Sequence, residues 1–275
     1  MKTNKIGFIG GGNMASSLIS GLIASGHPAQ QIWAYDINSE TLQNLSANFG
    51  INIASDNEAL IDAADVVVLA VKPQVIQDVA KSVAAFIRNK QKLVVSIAAG
   101  ITQNSLSRWL GDNVAIVRCM PNTPALVLTG ATGLYANSNV TDLQRDLAES
   151  ILRAVGVCFW VAEEAELDTI TAVSGSGPAY YFLLMEAMEQ AALGLGMSEH
   201  SARLLVQQTA LGAAKIALES TESPEQLRKR VSSPGGTTER AIETFIEGGF
   251  SELVAKAIHA ARDRSIEMSK QLGDQ

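Results

Sequence analysis

The stretch KIGFIGGGNMASSLISGLIASG, residues 5–26, constrains the fold of this chain more than any other. A short apolar run breaks into Gly10, Gly11 and Gly12, then continues as an apolar stripe of helical length up to Gly26. Three glycines in succession weaken strand and helix alike, so they mark a tight turn between one and the other. Gly10, Gly12 and Ala15 fit the spacing G-x-G-x-x-G/A, which joins a first strand to a first helix in domains that bind dinucleotides. Gly10 permits the turn, Gly12 lets a pyrophosphate approach the backbone, and Ala15 keeps helix and strand close. The helix start offers free N–H donors and a partial positive charge to the diphosphate.

Up to about residue 161, short β-branched runs (KIGFIG, QIWAYD, INIA, DVVVLAV, KLVVSIA, NVAIVRCM) alternate with amphipathic segments of helical length. Runs apolar on both faces and spaced by helices call for a parallel sheet with right-handed crossovers. Beyond residue 162 these runs vanish, and segments such as YYFLLMEAMEQAALGLGM carry helical periodicity with many small residues. The expected fold is α/β: a Rossmann-type doubly wound parallel sheet over residues 1–161, then an all-helical domain over residues 162–275. The helical half holds more apolar residues than a free-standing bundle of its size hides. Ala191, Ala192, Gly194, Gly196, Gly212, Ala213 and Ala214 permit close helix approach. A homodimer or higher homo-oligomer through these helices is expected, against the alternative of a compact monomeric bundle.

No apolar run approaches the roughly 18 residues of a membrane helix, and the glycine-rich start does not read as a signal peptide. Only Cys119 and Cys158 are present, which argues against a disulfide framework and for a reducing, cytoplasmic setting. The formal charge of −7 repels phosphate backbones and anionic lipid, so nucleic-acid and membrane partners are not expected. His27, His200 and His259 lie far apart without ligand spacing, and no metal site is expected.

The second strand ends at Tyr35-Asp36, where such a domain reads the adenosine ribose. An acid there accepts from the ribose hydroxyls and repels a 2′-phosphate, which favours NAD; it can instead cap the helix beginning near Asn38. Lys72, after the fourth strand, can meet a phosphate or ribose, or lie solvated in its loop. The SIAAG turn, Ser96 to Gly100, has residues small enough for a nicotinamide to lie against backbone. Asn122 and Thr123 in RCMPNTPA can pair with its carboxamide, or form an ordinary turn.

Late in the chain, VSSPGGTT (231–238) opens the helical segment TTERAIETFIEGG. Proline and paired glycines are costly within a helix, and suit a sharp corner whose exposed N–H groups form a nest for a carboxylate. Ser233 can add a hydroxyl donor. Serine and threonine as simple helix caps are the alternative.

With FIGGGNMA, AVKP, RCMPNTPA, SGSGPAY (174–180) and VSSPGGTT in this order, the chain resembles the pyrroline-5-carboxylate reductase family over essentially its whole length. The resemblance implies hydride transfer from NADPH or NADH to the cyclic imine of pyrroline-5-carboxylate, giving proline. It implies a cofactor site at Phe8, Ile9, Gly10, Gly11, Gly12, Asn13, Met14, Asp36, Asn57, Ala70, Val71, Lys72, Pro73, Ile97, Ala98, Ala99, Asn122 and Arg230. It implies a substrate site at Glu164, Ser176, Val231, Ser233, Gly235, Gly236, Thr237 and Thr238, with Thr238 the catalytic candidate that orients the ring nitrogen. A threonine hydroxyl is a poor acid, so protonated imine, proximity and electrostatics carry the reaction. The family commonly uses NADPH and often carries Ser, Thr or Asn-Arg where Asp36 stands. Use of both cofactors, with weaker preference for NADPH than in relatives lacking the acid, is expected, with Arg230 a possible counter-ion. A hydroxyacid or ketone reductase would want a strong acid such as lysine, and residues 162–200 contain none. A non-catalytic dinucleotide sensor would leave VSSPGGTT unexplained.

Overall fold

The computed structural model describes residues 4–273. Eight strands form one sheet: β1 (Ile6–Ile9), β2 (Ile32–Tyr35), β3 (Asn52–Ile53), β4 (Val66–Leu69), β5 (Leu93–Ser96), β6 (Ile116–Met120), β7 (Gly130–Ala136) and β8 (Gly156–Trp160). The order is β3-β2-β1-β4-β5-β6-β7-β8, and every pair is parallel except β6 with β7. The first six strands have the doubly wound order whose carboxyl ends bind dinucleotides.

Seven helices accompany the sheet: α1 (Asn13–Ala24), α2 (Ser39–Phe49), α3 (Asn57–Ala63), α4 (Ile76–Lys90), α5 (Gln103–Leu110), α6 (Asp142–Arg153) and α7 (Glu166–Ile170). The strands alternate between two cores. Phe8, Val66, Val68, Val95 and Val117 meet α1, α2 and α6 on one face; Ile9, Val67, Leu69, Val94 and Ile116 meet α3, α4 and α5 on the other. Burial on both faces explains why β4 is VVVL without a polar position. Each such side chain contributes roughly 1.5–3 kcal/mol by leaving water.

Two strands lie beyond the six expected. β7 reads GATGLYA, and its glycines serve close approaches: a Cβ on Gly133 would lie 2.5 Å from Ile170 Cδ1 of α7. β8 is an edge strand with Val157 and Phe159 exposed. Neither has the β-branched run that betrays a central strand.

Helices α8 (Gly177–Gly194), α9 (Glu199–Glu219), α10 (Pro224–Arg230), α11 (Thr237–Glu247) and α12 (Phe250–Gly273) complete the chain. Contacts divide it into residues 1–176 with 261–275, and residues 177–260. This division does not follow the change of sequence texture at residue 161. In the first unit Leu167 and Ile170 of α7 are buried, and Ser265 of α12 donates to Asp168 Oδ1 at 2.7 Å. In the second unit α8 packs on α9, yet Tyr181, Phe182, Leu183, Leu204, Leu211 and Leu253 stay exposed. Ser198 caps α9, and Ser223 with Gln226 forms a capping box on α10. Among the described residues no helix is long and apolar enough to cross a membrane.

Candidate active site

The turn after β1 is built as its glycines suggest. Gly10 has φ +100°, and a Cβ there would sit 2.7 Å from the Ala70 carbonyl oxygen. Its N–H donates to Tyr35 O at 2.8 Å, tying the β1 end to β2. Gly12 precedes α1 in extended conformation with no side chain capping the helix, and a Cβ there would meet nothing within 4 Å. The first N–H groups of α1 lack intrahelical acceptors, and no acid stands in that first turn. An uncapped helix start beside open space at a glycine fits a diphosphate. Asn13 is exposed and Met14 half-buried, whereas Phe8 and Ile9 are core side chains that offer only backbone.

Asp36 follows β2 and binds this turn directly. Its Oδ2 accepts from Gly11 N–H at 2.7 Å and its Oδ1 from Asn38 N–H at 2.9 Å. The cap of α2 is Asn38, whose side chain accepts from the N–H groups of Glu40 and Thr41. Asn57, in the first turn of α3, has a buried Oδ1 that accepts no hydrogen bond from the protein, an oxygen free for a ligand donor.

The ends of β4 and β5 are linked by Ala70 N–H to Ile9 O and Ile97 N–H to Leu69 O, at 2.8 and 3.2 Å. Ala70, Val71, Pro73, Ile97 and Ala99 are half-buried, Ala98 is buried and Lys72 is exposed. Asn122 is already committed. Its Nδ2 donates to Ser174 O and Oγ, both at 3.1 Å, and its Oδ1 accepts from Ala131 N–H at 2.9 Å. It thereby ties the β6 end to β7 and to the π-helical turn Thr171–Gly175, leaving little capacity for a carboxamide. Ser176 ends that turn, donating its N–H to Thr171 O at 2.8 Å. Thr123 starts a 3₁₀ turn.

Glu164 belongs to a constellation that the motif reading missed. Its Oε1 accepts from Arg118 Nη1 at 2.7 Å and from Gln103 N–H at 2.6 Å. The Arg118 side chain is 6% exposed and that of Glu164 25%. Both line a cavity of about 390 Å³ with Thr102, Arg108, Asp168 and Lys270. An arginine inside the apolar strand IVRCM was the available signal, because a buried charge demands a partner.

In the second unit, Ser233 O accepts from Gly236 N–H at 2.9 Å, which closes the corner. Gly235 has φ +72°, and its N–H donates to Glu239 Oε2 at 2.6 Å. Gly236 precedes α11 with no side-chain cap, and Thr237 and Thr238 occupy its first turn. The corner therefore holds one carboxylate, from its own chain, while the amides of the first α11 turn have no intrahelical acceptor. Val231 is exposed, Thr238 half-buried, and Arg230 is ion-paired with Glu222.

Cys119 and Cys158 are free and buried. Burial raises both thiols, Cys158 to about 11. Among the described residues no group of His, Cys, Asp and Glu could hold a metal ion.

Comparison with known proteins covers the whole chain. The family described as pyrroline-5-carboxylate reductase dimerisation matches residues 164–268; that described as NADP oxidoreductase coenzyme F420-dependent matches residues 5–100. The chain is 51% identical over 273 residues to a pyrroline-5-carboxylate reductase of Pseudomonas aeruginosa, covering 99% of this chain and 100% of the other. It is 45% identical to that of Vibrio alginolyticus, covering 98% and 99%. The solved reductase of Coxiella burnetii superposes with a TM-score of 0.94 at 47% identity, covering 98% and 99%. The pyrroline carboxylate reductase of Plasmodium falciparum, solved with NADP bound, does so at 0.86 with 30% identity, covering 98% and 99%.

Proposed function

This chain belongs to the pyrroline-5-carboxylate reductase family, and from that premise we propose that it reduces 1-pyrroline-5-carboxylate to proline, the last step of proline biosynthesis. The observation that carries this reading is a diphosphate cradle on an uncapped helix start, joined in one chain to a second glycine corner that accepts a carboxylate. A bound reduced nicotinamide cofactor supplies hydride to the imine carbon. The chain supplies position. The α1 start and Gly12 hold the diphosphate, Asn57 Oδ1 accepts from the cofactor, and the turns after β4 and β5 present backbone to it.

The substrate carboxylate takes the amides of the Gly235–Thr238 corner. Glu239, now on Gly235 N–H, moves aside or shares that edge. Thr238 orients the ring nitrogen, which arrives protonated, so hydride addition at the imine carbon gives the neutral secondary amine. That amine takes a further proton from water to become the ammonium of proline, with no strong protein acid required. Val231 and Ser233 flank the same corner, and Ser176 and Glu164 are the substrate residues that the family resemblance implies within the first unit. Reaction needs both sets of residues on one substrate, from one chain or from two.

The exposed apolar side chains of α8, α9 and α12 are covered by a second copy of the chain, making a homodimer or larger homo-oligomer; a monomer in sedimentation at micromolar concentration would remove this. Two buried thiols without a disulfide suit the cytoplasm. The deciding assay follows loss of reduced-nicotinamide absorbance on adding pyrroline-5-carboxylate. Wild type turns over, and Thr238→Ala loses at least about tenfold in kcat/KM, the worth of one good hydrogen bond to a charged group, with unchanged circular dichroism. Unchanged turnover would exclude the role of Thr238; oxidation with oxoacids alone would point to a ketone reductase.

A further inference from the structure

We propose that the cavity between the start of α5 and the end of α12 is a binding site for a small free amino acid in its zwitterionic form. All of its lining residues lie in the first unit. Apart from Glu164, none of them stands among the residues assigned above to cofactor or substrate, and the inference does not draw on the reductase reading.

The first observation is opposite charge that shares one space without pairing. The cavity of about 390 Å³ is lined by Arg108, Arg118 and Lys270 together with Glu164 and Asp168. Arg118 and Glu164 pair with each other. Among the described residues Arg108 and Lys270 have no carboxylate partner, and Asp168 has no cation. Charges of both signs held apart across a cavity are complemented by a ligand that carries both signs itself.

The second observation is that these groups are fixed and keep unused capacity. Arg108 Nη2 donates to Gly273 O and Ser105 Oγ, which leaves Nη1 and Nε for an acceptor. Glu164 takes both of its hydrogen bonds on Oε1, and Asp168 takes Ser265 on Oδ1, so Oε2 of one and Oδ2 of the other remain for a donor. Ser269 Oγ, on the same wall, is buried with no hydrogen-bond partner. A buried hydroxyl without a partner costs free energy that a ligand recovers.

The third observation is the match of charge and size. A plain anion would meet two acids here, and a plain cation three bases. An α-amino acid sets its carboxylate toward Arg108, Lys270 and Ser269 and its ammonium toward Glu164 Oε2 and Asp168 Oδ2. The volume falls in the range of roughly 300–1,000 Å³ usual for small-molecule sites. Ala165 and Ile266 are the apolar part of the wall, which suits a short aliphatic side chain.

Titration calorimetry of the full chain with L-alanine, propionate and ethylamine tests this. L-Alanine is expected to bind with a Kd of about 1 mM or tighter. Propionate and ethylamine, each carrying one of its two charges, should bind at least about tenfold more weakly. Lys270→Ala, at an exposed position, and Asp168→Asn should each weaken L-alanine about tenfold, the worth of one hydrogen bond to a charged group. Lys270→Ala carries the test alone if loss of the Ser265 contact unfolds Asp168→Asn. Thr238→Ala should leave the affinity unchanged, which separates this cavity from the glycine corner. No binding of L-alanine at about 10 mM, tenfold above that Kd, overturns the inference. So does binding that survives both cavity variants or is lost in Thr238→Ala, and so does propionate binding as tightly as L-alanine, the mark of a plain anion site. Failure of the reductase reading would appear separately, as no oxidation of reduced cofactor when the imine is added to wild type.

Discussion

Replacing Glu164 by glutamine removes the counter-charge of an arginine side chain that is only 6% exposed. Breaking a buried ion pair from one side costs about 3–5 kcal/mol, because the remaining charge is left without compensation. Glutamine is nearly isosteric and keeps an oxygen for the Gln103 N–H now bonded at 2.6 Å, and one quarter of the Glu164 side chain already faces water. The expected loss is therefore about 2–3 kcal/mol, near the worth of one charge-assisted hydrogen bond. Arg118→Met should cost less, since the carboxylate left behind can rehydrate through the cavity. The double variant should cost less than the sum, by about 1 kcal/mol or more. Urea unfolding followed by tryptophan fluorescence suits the measurement, because Trp33, Trp109 and Trp160 all lie in the unit that contains this pair. With a urea slope of about 2–3 kcal/mol/M, Glu164→Gln should lower the midpoint by about 1 M. A shift below about 0.2 M, or strict additivity of the two changes, would refute the reasoning. A raised KM for the imine in a folded Glu164→Gln enzyme would add a substrate role to the structural one.

Gly10 and Gly12 should separate folding from binding. Gly10→Ala forces a side chain into φ +100° and against Ala70 O, so stability falls by about 1–3 kcal/mol and the melting temperature falls with it. Gly12→Ala has φ −67° and open space, so the melting temperature holds while dinucleotide affinity drops about tenfold or more in titration calorimetry; unchanged affinity would remove Gly12 from the cradle. Burial lowers the pKa of His27 below 6.5, so the fold prefers the neutral ring. That contribution is complete above pH 6.5 and is lost as pH falls through the lowered value. Glu149, held low by Trp160 and then Arg153, loses its contribution only below about 4.5. Denaturant midpoints between pH 7.5 and 5 should therefore decline less in His27→Asn than in wild type, and equal slopes would exclude His27.

Local chemistry made the first half of the molecule legible from residues alone. Gly10 and Gly12 stand where only a strand-to-helix turn tolerates them, and VVVL without a polar position admits burial on both faces. The doubly wound order followed, because a parallel crossover has one favoured hand. The corner at Gly235-Gly236 was legible for the same reason: the constraint lies in the backbone of those residues. Tertiary structure alone decided which polar groups meet. Asn122 and Ser174 are 52 residues apart, Arg118 and Glu164 46, and Gly11 and Asp36 25. Sequence periodicity reports what one element buries, whereas a hydrogen bond between elements depends on how the sheet brings distant strand ends together. That is why an asparagine suited to a carboxamide is spent on a serine, and why an acid suited to a ribose also holds the turn beneath it.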